Sequence, residues 1–134
     1  FHRIANFATD LPGLKTGGYW VRKGFAEANP DAIHSFIRNV LETHRSIVDD
    51  PATFVEQVPR FLEYEGDDLA LLPQIVETLN GINNYPVNGG LTLEGGQFTI
   101  DFFTDAGRLD PGLTAEQAYD LSYLEAVLAD IGTR

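Results

Sequence analysis

Apolar positions recur along this chain with two different periods, and the change falls near residue 25. Up to residue 24 they come in short aromatic and β-branched runs, Phe1-His2-Arg3-Ile4-Ala5 and Tyr19-Trp20-Val21. Turn chemistry separates them, at Asp10-Leu11-Pro12-Gly13 and Gly17-Gly18. This predicts two short strands joined by a loop. A two-stranded ribbon is not stable in isolation, so these strands need partners, from residues outside the chain or from a second copy of it in a homodimer.

From residue 25 the period is helical. Asn29-Pro30-Asp31 is a helix start, with Asn29 as N-cap, Pro30 where no N–H is needed and Asp31 near the positive end of the helix dipole. Ile33, Phe36, Ile37, Val40, Leu41, His44, Ile47 and Val48 follow at three- and four-residue spacing, one stripe that requires burial. Asp50-Pro51 repeats the start signal, and Phe54, Val55, Val58, Phe61 and Leu62 form a second stripe that Pro59 kinks or ends. A third helix is predicted from Asp67 or Asp68 to Asn80-Gly81, burying Leu69, Leu72, Ile75, Val76 and Leu79. An Asn-, Pro- and Gly-rich loop runs from Gly81 to Gly90, then a helix from about Thr92 to Ala106 carrying Phe98, Phe102 and Phe103. After a turn at Asp110-Pro111-Gly112, Thr114 and Gln117 have capping-box spacing and open a last helix that buries Leu121, Leu124, Leu128 and Ile131. Residues 1–134 thus read as one domain, with strands and a Gly/Pro loop in 1–24 and helices in 25–134.

Composition narrows the function classes. Nine basic against twenty acidic residues give a net charge of −11, which opposes nucleic acid and anionic lipid surfaces, and the only adjacent basic pair is Arg22-Lys23. No run of eighteen apolar residues offers a membrane span. The absence of Cys removes thiolate nucleophiles and zinc-thiolate sites, and the absence of Met means the chain starts after a processing event or as a piece of something longer. No GxSxG, GxxxxGK[ST] or GxGxxG pattern is present, so neither a serine elbow nor a phosphate loop is expected. His34 and His44 are ten residues apart on one helix, too far to share a metal. His44 falls on the apolar stripe and is expected as a core or boundary imidazole with one hydrogen bond, whereas His34 points off the stripe towards Arg38 and is expected in solvent. Asp49-Asp50 and Asp67-Asp68 sit at helix starts and read as caps rather than as acid–base or calcium pairs. No metal or cofactor site is therefore expected. The remaining hydrogen-bonding and aromatic density is Asn6, Thr9, Asp10, Thr16, Tyr19 and Trp20, a composition common at the mouth of small-molecule clefts; the alternative is that Tyr19 and Trp20 merely pack on the long helix.

The stretch from Tyr19-Trp20-Val21-Arg22-Lys23-Gly24-Phe25 through Ala28-Asn29-Pro30-Asp31-Ala32-Ile33 to Phe36 resembles a segment of ABC-transporter solute-binding proteins, in the group carrying nitrate, sulfonates, taurine and thiamine-pyrimidine precursors. Asp50-Pro51-Ala52 is similar to the start of that family's next helix. Gly90-Leu91-Thr92, Phe102-Phe103 before Ala106-Gly107, and Asp120-Leu121-Ser122-Tyr123-Leu124-Glu125-Ala126 extend the similarity in order to about residue 131. The resemblance implies an α/β fold of the periplasmic-binding-protein-like type II class, of which this chain is a mostly helical C-terminal portion with two short strands. It implies a non-enzymatic, extracytoplasmic protein whose partners are a small organic solute and a membrane permease, with ligand-contacting residues among Asn6, Thr9, Asp10, Thr16, Tyr19 and Trp20. Two other functions are weighed beside it: a pyrimidine synthase of thiamine biosynthesis on the same scaffold, and a helical interaction or sensory module that has lost the cleft.

Overall fold

The helices follow from their caps. In a computed structural model that describes residues 2, 4–15, 17–61 and 68–134, they are α1 (Phe7–Asp10), α2 (Lys23–Ala28), α3 (Pro30–Asp49), α4 (Pro51–Gln57), α5 (Asp68–Gly81), α6 (Leu93–Asp105), α7 (Ala115–Ala118) and α8 (Ser122–Ile131). A single 3₁₀ turn, Val58–Arg60, continues α4 and contains Pro59, which has no N–H for another helical bond. Asp50 Oδ1 accepts from the Thr53 amide and caps α4, and Thr92 Oγ1 does the same for the Gly95 amide at α6. Both bonds of the predicted capping box at Thr114 and Gln117 are made. Asn29 stands at the head of α3, but its side chain donates backwards to the Phe25 carbonyl (3.0 Å) and so closes α2 instead.

The long helix α3 organises the core. Leu41 is 1% exposed and Ile47 4%, with Ile33, Ile37, Val40 and His44 half-buried beside them. Its most extensive partner is α8, which brings Val127 into the core, and α4 folds back against both α3 and α5. A second centre forms where α6 meets α7: Ile100, Thr99 and Ala115 are buried there, and the Gln97 side chain accepts from the Ala115 amide (2.9 Å).

Besides Phe36 and Val48 of the first stripe and Phe61 of the second, which are exposed, three expectations are corrected. First, no strand is present among the described residues: residues 7–10 form the short helix α1, and Tyr19-Trp20-Val21 pairs with nothing. Strand formation needs a neighbouring strand, and nothing in the described chain supplies one to this segment; Phe1 and Arg3 of the first run lie outside the described residues. The fold described is therefore helical rather than α/β. Secondly, the last helix is two, because Tyr119 is extended (φ −126°, ψ 131°) and its ring lies against Gly96, while Asp120 Oδ1 accepts from both the amide and hydroxyl of Ser122 and starts α8 anew. Thirdly, two of the α5 residues expected in the core, Leu69 and Ile75, are exposed, and only Leu72 and Val76 of that helix are buried. Leu62 and Asp67 lie outside the described residues.

Candidate functional site

The candidate site residues divide into two groups. Asn6, Thr9 and Asp10 are gathered in the single turn of α1. Asn6 Oδ1 accepts from the Ala8 amide (3.2 Å), the Asn6 amide donates to Asp10 Oδ2 (2.8 Å), and the Thr9 hydroxyl contacts both the Asn6 carbonyl and Asp10 Oδ1 at 3.1 Å. With Ile4 and Ala5 they line an open depression of about 330 Å³. These hydrogen bonds are local, so the polar atoms in the depression are already engaged in holding the turn.

Tyr19 and Trp20 make the second group. The Tyr19 ring meets Phe36 of α3 edge to face, with centroids 4.9 Å apart, yet Tyr19 remains 74% exposed. Trp20 is 84% exposed and packs on no helix; its ring edge lies about 4.0 Å from where a Cβ on Gly18 would stand. Thr16 lies outside the described residues. Packing on the long helix is thus true of Tyr19 and untrue of Trp20.

The two histidines of α3 both have packing partners, and His34, contrary to expectation, is not in solvent. His44 Nδ1 is 3.2 Å from the Pro86 carbonyl, and since that oxygen only accepts, Nδ1 carries the proton. His34 is half-buried against the Tyr123 ring (5.7 Å), while Arg38 pairs instead with Asp130 of α8. No cluster of three or more His, Cys, Asp or Glu among the described residues could hold a metal. Asp50 acts as the predicted cap. Asp49 instead receives both arms of Arg134 (2.7 and 2.8 Å), and the Arg134 hydrogen bonds hold its carboxyl below the usual Asp range.

A polar network that the sequence reading missed joins α3 to the C-terminal residues. Arg45 Nε donates to the Val87 carbonyl (3.0 Å), Nη1 to Ile131 (3.3 Å), and Nη2 to the Gly132 carbonyl (2.6 Å) and Asn88 Oδ1 (3.3 Å). Asn88 then holds both the amide and the carbonyl of Arg134. It is a clasp of charge-assisted bonds, three to backbone carbonyls and one to the Asn88 side chain.

Two exposed apolar surfaces remain. One is the outer face of α5, where Leu71, Gln74, Ile75, Thr78 and Leu79 line an uncharged depression of about 290 Å³. The other is Gly17–Phe25, nine consecutive exposed residues that include Tyr19, Trp20, Val21 and Phe25. The backbone amides and carbonyls of Gly17–Val21 take no hydrogen-bond partner among the described residues. No helix among the described residues is long and apolar enough to cross a membrane. Comparison of the chain with family models, curated proteins and solved structures gave no match.

Proposed function

We propose that this chain is part of a non-enzymatic solute-binding protein of the periplasmic-binding-protein-like type II class, which serves an ABC importer outside the cytoplasm and hands a small organic solute to a membrane permease. The observation that carries this reading is the open aromatic segment Gly17–Phe25. Its large side chains are exposed, and the backbone of Gly17–Val21 takes no hydrogen-bond partner among the described residues, the condition of one wall of a cleft whose opposite wall closes over it. The ordered similarity of residues 19–36, 50–52, 90–107 and 120–126 to that family supports the same reading. Within it, Tyr19 and Trp20 are the packing wall and Asn6, Thr9 and Asp10 the polar corner, with Thr16 between them in sequence. The solute classes are nitrate, sulfonates such as taurine, and thiamine-pyrimidine precursors.

Calorimetry of the purified protein against nitrate, taurine, an alkanesulfonate and an aminopyrimidine tests this. One of them is expected to bind and to shift the emission of Trp20, the only tryptophan, and Trp20→Phe is expected to bind it more weakly. Binding that leaves Trp20 emission unmoved and is unchanged in Trp20→Phe removes the wall from the site; silence towards all four removes the solute reading.

The outer face of α5 favours a second reading, a helical interaction module. Leu71, Ile75 and Thr78 follow at four and three residues, the seam spacing of helix pairing. Concentration-dependent association that Ile75→Glu abolishes, with no response to any solute, selects it.

A further inference from the structure

Residues 11–26 contain three basic side chains, Lys15, Arg22 and Lys23, and no acidic one, in a chain whose net charge is −11. Lys23 stands 3.8 Å from Glu27, and its field also lowers the Asp120 carboxyl, whose main partner is Ser122. No ion pair among the described residues involves Lys15 or Arg22. Before Arg22 lie the backbone groups of Gly17–Val21, which take no partner among the described residues, and the exposed rings of Tyr19 and Trp20.

We propose that Gly17–Arg22 is a docking edge for an extended acidic segment of another protein, which joins it as an added β-strand. Free amides and carbonyls in register supply the pairing, and alternate side chains supply specificity. Arg22 already has extended backbone (φ −67°, ψ 132°). Side chains alternate along a strand, so the Tyr19 contact with Phe36 turns Tyr19 and Val21 towards α3 and leaves Trp20 and Arg22 on the outer side with Gly18. The Trp20 ring does lie alongside Gly18, as two residues on one face of a strand do.

Charge decides the occupant. Arg22 closes the segment without an ion pair among the described residues and Lys23 follows it, so carboxylates along a partner strand meet cations at that end. A second copy of the chain brings six like charges, those of Lys15, Arg22 and Lys23 twice over, along one ribbon. Basic residues on a strand edge are the usual means of preventing that pairing. Nucleic acid would need a track of cations along successive phosphates, and residues 11–26 hold only three. The inference goes beyond the solute reading and holds whether or not a solute also touches Tyr19.

The test uses two fluorescein-labelled peptides, Glu-Val-Glu-Val-Glu-Val and Lys-Val-Lys-Val-Lys-Val, titrated with the protein at low salt and followed by anisotropy and by amide hydrogen exchange. The acidic peptide is expected to bind, to slow exchange at Gly17–Val21 by about tenfold or more, and to weaken several-fold in 0.5 M salt. Arg22→Glu, at an exposed position, is expected to reverse the preference between the two peptides. Equal binding of both peptides, no binding of either, or binding with unchanged exchange at Gly17–Val21 each overturns the proposal. So does a dimer in sedimentation whose interface protects the same amides. A solute that binds while the acidic peptide does not removes this inference alone; the converse result removes only the solute reading.

Discussion

Replacing Arg45 with methionine keeps most of the side chain's apolar stem and removes its donors. Four hydrogen bonds are lost, three of them half-buried and the fourth, to the Gly132 carbonyl, exposed. A buried hydrogen bond from a charged donor contributes roughly 1.5–3 kcal/mol, but these acceptors retain partial access to water, which replaces part of each. The expected loss is therefore about 2–3 kcal/mol, a large fraction of the roughly 5–15 kcal/mol that holds a domain folded. Urea unfolding followed by far-ultraviolet circular dichroism measures it. The midpoint should fall with the slope unchanged, since the surface exposed on unfolding is the same. Amide exchange adds the spatial test: protection should drop first at Val87–Gly89 and Ile131–Arg134, the two segments joined by the clasp, and less at Leu41 and Ile47 in the middle and last turns of α3. Arg45→Lys, with fewer donors and no planar fork, should recover only a minor part. A loss under about 0.5 kcal/mol in Arg45→Met would mean that water satisfies these carbonyls as well as the guanidinium does, and the account of C-terminal closure would fail. Arg134→Ala, which breaks only an exposed pair with Asp49, should cost less than Arg45→Met; the reverse order would place the closure at the wrong residue.

Leu41→Ala removes the one fully buried large side chain of α3 and should cost about 2–5 kcal/mol by urea titration, while Val48→Ala on the same helix, exposed, should stay within about 0.5 kcal/mol. Gly96→Ala places a Cβ 2.6 Å from Tyr119 Cε2, so the ring must move; about 1–3 kcal/mol of destabilisation is expected, and Tyr119→Ala in the same background should recover part of it, whereas additive losses would disprove the contact. Asp49, Asp50 and Asp120 are all held below the ordinary Asp value, chiefly by hydrogen bonds from Arg134, Thr53 and Ser122 respectively. With folded values depressed, the unfolded chain takes up protons first as pH falls, so their contribution is present above about pH 4 and is lost as the pH drops through the folded values. Calorimetric Tm should fall below that pH, and less steeply in the triple Asn variant; identical acid limbs would refute the assignment.

What could be read from the sequence was what short-range chemistry decides. Asn29-Pro30-Asp31, Asp50-Pro51, Thr92 and Thr114 with Gln117 each mark a helix start, and all four starts are where the spacing put them; at the last three a side chain within a few residues satisfies a first amide, and at the first Pro30 has no amide hydrogen to satisfy. Tyr19-Trp20-Val21 has the composition of a strand, but such propensity measures fit to a neighbouring strand, and the described chain supplies none. The break at Tyr119 arises from a contact with Gly96 twenty-three residues away, although Asp120 two residues before Ser122 was a local signal for the restart that the capping box upstream obscured. On α5, Leu69, Leu71, Leu72, Ile75, Val76 and Leu79 nearly encircle the helix, so periodicity names no single buried face, and packing on α4 selects Leu72 and Val76. The Arg45 clasp lay beyond reach because carbonyls carry no sequence signature. The basic segment was within reach: counting adjacent cations finds only Arg22-Lys23, whereas asking where acids are missing finds two windows of sixteen residues, 78–93 with no basic residue and 11–26 with three. In a chain with twenty carboxylates, a window free of them reports local potential better than neighbouring basic residues do, because a lysine beside an acid, as Lys23 is beside Glu27, presents less charge to a partner than one that stands alone.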